Sequence, residues 1–350
     1  MPKARLKTSL SEHTTAIRII YSAVLFLMLV ATTGTVVLLK AKEFAFDTAF
    51  FGVQTTAPKD LPTELTAFPI GVNPQKEVIT ENPQIATFFD NQLSSNTQRP
   101  RASWIEHSLA LLSRSPWFQG LASPIARILV IEPGERKEQV VNDFAQILLW
   151  DNDQKETFTA LVTESVPQID DGKFFPDHYV VGKDATPVDV AQLLLEKFNS
   201  EVLSHYTSDI SKVVPLTDTL TIASLLEREA YSFDDMRSIS GIIWNRLFAG
   251  MNLQIDASLQ YAKANSGNTK WWPQVKPADK YIDSPFNTYE NAGLPPSPIA
   301  SPSLEAILAA LNPKKTDCLF YFHDNDGGFH CSKTYEEHVA LLKQYYGRGK

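Results

Sequence analysis

The stretch that most constrains this 350-residue chain is IIYSAVLFLMLVATTGTVVLL, Ile19 to Leu39, which carries no charged side chain. An apolar run of about 20 residues, wound as a helix, matches the roughly 30 Å hydrocarbon core of a bilayer. It reads as a transmembrane helix over residues 19–39. A cleaved signal peptide is the competing reading. It fits less well, because the run exceeds the usual apolar segment of a leader and LLKAKEFA offers no clean small-x-small cleavage site. Ahead of the run, Lys3, Arg5, Lys7 and Arg18 face one acid, Glu12; behind it, Lys40 and Lys42 are followed by Glu43, Asp47 and Asp60. That bias places residues 1–18 in the cytoplasm as a tail and the rest of the chain on the far side of the inner (cytoplasmic) membrane, where disulfides persist.

The charge balance narrows the partners. With 32 basic against 40 acidic residues, net −8, and the basic residues scattered, the chain lacks the electrostatic footprint of a nucleic-acid binder. It has no phosphate-binding loop, dinucleotide fingerprint or nucleophile elbow. His323, Asp324, His330 and His338 fit no standard ligand spacing, so neither a metal nor a cofactor is expected.

Three regions follow the apolar run. Residues 40–125 are rich in Pro, Thr, Ser and Asn and read as a juxtamembrane spacer, with short helices at NPQIATFFDNQL and SWIEHSLALLSRS. Residues 126–210 read as strand (ILVIEPG), two capped helices, returning strand (FFPDHYVV) and a third helix starting at Pro187, a small α/β module. Residues 211–350 alternate helices with apolar strands. In SPSLEAILAALNP, Ser301 caps, Pro302 opens the first turn and Leu304, Ile307, Leu308 and Leu311 share a face. The whole is α+β rather than a regular βαβ repeat. Cys318 and Cys331 flank LFYFHDNDGGFH, which reads as a hairpin; they either form a disulfide across it or remain two half-buried thiols.

The chemistry points to ASLLEREA. On its helix, Ile222, Leu225, Leu226 and Glu229 fall at i, i+3, i+4 and i+7, one face, whereas Glu227 is turned about 200° away. An acid on an apolar face loses hydration of its charged form, so its pKa rises and it can deliver a proton near neutral pH. The bland alternative is that Glu229 pairs with a buried arginine such as Arg246. Gln254 and Asp256 alternate with Leu253 and Ile255, as on a half-buried strand, and Trp271 and Trp272 read either as sugar-stacking faces or as a packing plug.

LTIASLLEREA…ISGIIWNRLFAGMNLQIDASLQYA resembles the endolytic murein transglycosylase (MltG/YceG-like) family. SPFNTYENAGLPPSPIASPSLEAILAALNP and LFYFHDNDGGFHCSKTYEEH resemble its later motifs in the same order. VIEPGERKEQV and DGKFFPDHY resemble its LysM-like module. The chain departs from the family's pattern at Ala230, Ala257, Ser258 and Phe286.

The resemblance implies a lytic transglycosylase. It would cut the MurNAc–GlcNAc bond of nascent peptidoglycan strands and leave 1,6-anhydro-MurNAc ends, helping to terminate glycan elongation. Residues 126–210 would be the LysM-like module and 211–350 the catalytic domain. Glu229 would be the acid, with Glu227 the alternative. Asn245, Gln254, Asp256, Asn287 and Tyr289 would bind substrate, and penicillin-binding proteins or other peptidoglycan synthases would be partners. Two rivals remain: a non-catalytic wall-binding scaffold, and a hydrolytic muramidase in which Asp256 assists Glu229.

Overall fold

The computed structural model describes residues 21–37, 40, 67–81, 125–265 and 270–347. Residues 21–37 are helical, and their large apolar side chains, Leu25, Phe26, Leu27 and Met28 among them, are exposed. Among the described residues no helix is long and apolar enough to cross a membrane. The ends of the apolar run at 19–20 and 38–39, the tail 1–18 and both short helices expected in the spacer lie outside the described residues.

Part of the spacer packs. Strands β1 (Val72–Asn73) and β2 (Val78–Ile79) pair antiparallel around a tight turn that Asn73 caps by accepting from Lys76 N at 3.1 Å. Phe68, Val72 and Ile79 enter the core of the C-terminal region, where Asn312 Nδ2 donates to Pro69 O at 2.8 Å.

The α/β module forms as the periodicity predicts. Strand β3 (Ala126–Ile131) leads to α1 (Lys137–Leu148) and α2 (Asn152–Thr163), then β4 (Asp177–Gly182) returns antiparallel with Leu129 opposite Tyr179, and α3 (Pro187–Phe198) follows. Asp151 caps α2 by accepting from Gln154 N at 2.9 Å, and Thr186 with Pro187 opens α3. Val140, Phe144, Phe158, Phe174 and Leu194 are fully buried together with Leu129. Truncating one of these phenylalanines costs about 3–5 kcal/mol.

The second core is built on two buried helices. Helix α4 (Ser208–Val213) leads into α5 (Leu216–Glu229), followed by α6 (Phe233–Phe248), α7 (Asp256–Asn265) and α8 (Leu304–Leu311). Helix α8 packs on α5, whose residues from Thr219 to Leu226 are all buried. This core also draws in Phe198, Val202, Tyr206, Ile210 and Val214 from upstream. On α6, a Cβ at Gly241 would lie 2.2 Å from the Lys314 carbonyl oxygen, so only glycine lets that segment close. Strands β5 (Phe320–His323) and β6 (Phe329–Ser332) form the hairpin, joined by a Cys318–Cys331 disulfide, and α9 (Tyr335–Tyr346) packs against it.

Two local expectations are corrected. Ser303, not Ser301, caps α8, accepting from Ala306 N at 3.2 Å. Ser301 is instead buried, and its backbone is held by the turn after β3: Ser301 N donates to Glu135 O and Gly134 N to Ser301 O, both at 2.8 Å. Residues 251–255 are irregular rather than a strand, although Leu253 and Ile255 are buried and Gln254 and Asp256 exposed as expected. Gln254 adopts a left-handed conformation (φ 54°), which no strand continues. The stretch is held by the loop at Thr288, whose carbonyl and hydroxyl accept from Gln254 N and Ile255 N, each at 2.9 Å.

Candidate active site

Glu229 is the last residue of α5, and its carboxylate is gripped from two other elements. Oε1 accepts the backbone N–H of Ala257, in the first turn of α7, at 3.2 Å; Oε2 accepts the Tyr321 hydroxyl, from β5, at 3.0 Å. Burial raises the Glu229 pKa above the ordinary carboxylate value, opposed by these two donors; the Asp256 charge adds to the rise and Arg228 counters it. The net direction is upward, which favours the protonated form relative to an ordinary carboxyl. Tyr321 is lifted far above the usual phenol range, first by burial and then by Glu229, so it stays a hydroxyl and donates.

Arg246 does not pair with Glu229. Its guanidinium donates to the carbonyls of Leu319 (2.6 Å) and Asn252 (3.3 Å) and to that of Leu253, tying the hairpin that carries Tyr321 to the loop that leads into α7. Both partners of Glu229 are therefore positioned by one buried arginine.

Glu227 has a different task. Its Oε2 accepts both Ser303 N (2.9 Å) and Ser303 Oγ (2.6 Å), fixing the end of α5 to the start of α8. Its pKa is also raised, by burial first, with the Ser303 bonds opposing. The Ser303 cap thus takes up one of the two carboxyl oxygens of Glu227.

Of the other expected residues, Asp256 joins the site directly: it opens α7 beside the Ala257 N–H and accepts the Tyr289 hydroxyl at 2.7 Å. Gln254 is exposed two residues earlier. Asn245 and Asn287 serve the scaffold. Asn245 Nδ2 donates to the carbonyls of Thr316 and Cys318 (2.8 and 3.1 Å). Asn287 is fully buried, giving Nδ2 to Lys280 O and Ile282 O and accepting Tyr289 N, so its amide holds the Tyr289 loop. Trp272 carries the Arg228 guanidinium 4.1 Å above its ring, and Trp271 is 38% exposed.

Tyr321 was not among the expected residues. Its signal was the polar hydroxyl within LFYFH, where neighbouring aromatics mask it as packing; its ring does stack on Phe329, with centroids 6.0 Å apart. Among the described residues, no cluster of three or more His, Cys, Asp or Glu side chains is arranged to hold a metal ion.

Residues 107–344, from the spacer through the hairpin and most of α9, match the YceG-like family. The chain belongs to that family. The endolytic murein transglycosylase of Streptococcus pneumoniae (strain D39) is 29% identical over 251 residues, covering 63% of this YceG-like chain and 45% of that protein. The endolytic murein transglycosylase of Bacillus subtilis (strain 168) is 35% identical over 176 residues, 50% of this chain and 48% of that protein. The chain thus spans about half the length of the curated relatives it matches. A yceG-like protein from Listeria monocytogenes has a similar crystal structure, with TM-score 0.53 and 26% identity over 61% of this chain and 75% of that one.

Proposed function

We propose that this YceG-like protein is an endolytic peptidoglycan lytic transglycosylase. The observation that carries the reading is Glu229: an acid of raised pKa at a helix end, held by a backbone N–H and a buried phenol, with Asp256 and Tyr289 beside it. The names of the relatives support the same reaction class.

In this mechanism the protonated Glu229 gives its proton to the glycosidic oxygen between MurNAc and GlcNAc, and the C1–O bond breaks. The resulting carboxylate takes the proton from the C6 hydroxyl of the same MurNAc as that oxygen closes on C1. The nucleophile is already part of the sugar, so no water is consumed and no second catalytic carboxylate is required. Ala257 N and Tyr321 stabilise the carboxylate between its two duties.

Residues 19–39 serve as a single membrane anchor in the inner membrane, residues 1–18 as a cytoplasmic tail, and the remainder lies outside the cytoplasm. The antiparallel strand–helix–helix–strand order of residues 126–182 supports a LysM-like module over 126–210, feeding glycan to a catalytic domain over 211–350. Nascent strands next to the membrane are the substrate, and peptidoglycan synthases such as penicillin-binding proteins are the partners.

The test is mass spectrometry of purified glycan strands digested by the full chain in detergent. Fragments ending in anhydro-MurNAc are expected. Reducing ends would indicate hydrolysis, and no cleavage by folded protein would leave a wall-binding scaffold.

A further inference from the structure

Residues 230–232 link α5 to α6, and both ends of the link are fixed. Glu229 closes α5 in the grip of Ala257 N and Tyr321, and Ser232 caps α6 by accepting from Asp235 N at 3.2 Å. Ala230 is extended and packs on the core. Tyr231, the next residue, is 77% exposed, and among the described residues its hydroxyl makes no hydrogen bond. An exposed tyrosine by itself needs no explanation; the position of this ring does.

The Tyr231 ring meets His323 with centroids 4.6 Å apart and planes at 82°. A T-shaped contact covers at most one face of a ring, so at least one face of Tyr231 stays open. His323 is a firm support. It belongs to β5, pairs with Phe329 across the hairpin, and its Nε2 lies 3.4 Å from Asp235 Oδ2 on α6. Alternation along β5 puts His323 on the same side as Tyr321, with ring centroids 6.4 Å apart. Tyr321 in turn donates to Glu229 at 3.0 Å. The open ring is therefore joined to the acid twice, through the short link and through the pair of side chains on β5.

We propose that Tyr231 is a substrate-binding residue whose open face stacks on the pyranose ring of a sugar next to the bond that Glu229 protonates. The inference rests on the proposed role of Glu229. A pyranose carries its hydroxyls around the rim and presents C–H bonds on its faces, which suit the electron-rich face of a phenol ring. Asp256 and Tyr289 supply polar groups beside the acid, and sugar sites combine such groups with a flat apolar surface. Because His323 and the fixed link hold the ring beforehand, little side-chain freedom is lost on binding.

The test measures binding apart from cleavage. The full chain in detergent carries Glu229→Gln, and calorimetry follows its binding to GlcNAc–MurNAc oligosaccharides stripped of stem peptides. Tyr231→Ala and Tyr231→Leu should each weaken Kd by about tenfold, whereas Tyr231→Phe and Tyr231→Trp keep a flat face and should bind like the native residue. Tyr231→Leu preserves apolar bulk against His323, so it decides the matter if Tyr231→Ala does not fold. Tyr335→Ala is the control: Tyr335 is 61% exposed but packs on Phe320, on the opposite side of β5 from Tyr321, and its loss should leave Kd unchanged. Native affinity in folded Tyr231→Leu, or an equal loss in Tyr231→Phe, would overturn the proposal. If the affinities change as expected but the chain with Glu229 intact forms no anhydro ends, the sugar platform stands and the transglycosylase reading falls. If anhydro ends form and Tyr231→Leu binds like the native chain, the platform alone falls.

Discussion

Asp171 offers a sharp test of how the α/β module is joined to the second core. It is fully buried at the junction, accepting Lys137 N at 2.6 Å and the Tyr261 hydroxyl, from α7, at 2.7 Å. Burial, with the Glu138 charge adding, lifts its carboxyl from 3.8 to about 7. The folded state thus holds this proton more tightly than the unfolded chain. Its contribution to stability is complete below about pH 4, is lost as pH rises toward 7, and changes no further above that. At about 1.4 kcal/mol per pH unit, the gap sets a ceiling of about 4 kcal/mol. Asp171→Asn cannot ionise, so its stability relative to the native chain should climb between pH 4 and 7 by up to that amount and then level off. Other raised carboxyls, Glu227 and Glu229 among them, are common to both proteins and cancel. Urea denaturation followed by tryptophan fluorescence at pH 4, 5.5, 7 and 8 reads the difference. A difference that stays constant with pH would refute the assignment of a buried, titrating Asp171.

Three further outcomes follow from the same contacts. Tyr321→Phe removes the hydroxyl from Glu229, a bond to a charged group worth about 1.5–3 kcal/mol; kcat should fall about tenfold or more and the alkaline limb of the pH–rate profile should move upward. Gly241→Ala forces a Cβ to within 2.2 Å of a carbonyl oxygen, and thermal melting should show a loss of about 1–3 kcal/mol or outright failure to fold. Cys318→Ser and Cys331→Ser open a link between residues 13 apart, costing about 3 kcal/mol; reductant should lower the denaturation midpoint of the native chain and leave the variants unchanged.

Local pattern made much of the fold legible. The Val140, Val141, Phe144 and Leu148 spacing, the Asp151 cap and Pro187 each act within one element, and each formed as read. The Glu229 face was legible for the same reason, since helical spacing alone separates it from Glu227. What failed depends on contacts between distant segments. The alternation at 253–256 was real, but Thr288 takes up the backbone and a left-handed Gln254 breaks the strand. Ser301 looked like a cap because nothing local reveals that the Glu135 loop occupies its backbone. Tyr321 was hidden because its partner lies 92 residues away. The Ala257 contact was hidden more deeply, because a backbone N–H carries it and no side chain announces it.

The most direct measurement compares Glu229→Gln with Glu227→Gln in the glycan digest. Each variant keeps its side chain's size, and in Glu227→Gln the amide oxygen can still accept from Ser303. Anhydro-MurNAc ends should disappear in Glu229→Gln and persist in Glu227→Gln, with both proteins folded. Loss of those ends in Glu227→Gln while Glu229→Gln stays active would contradict the assignment of Glu229 as the acid.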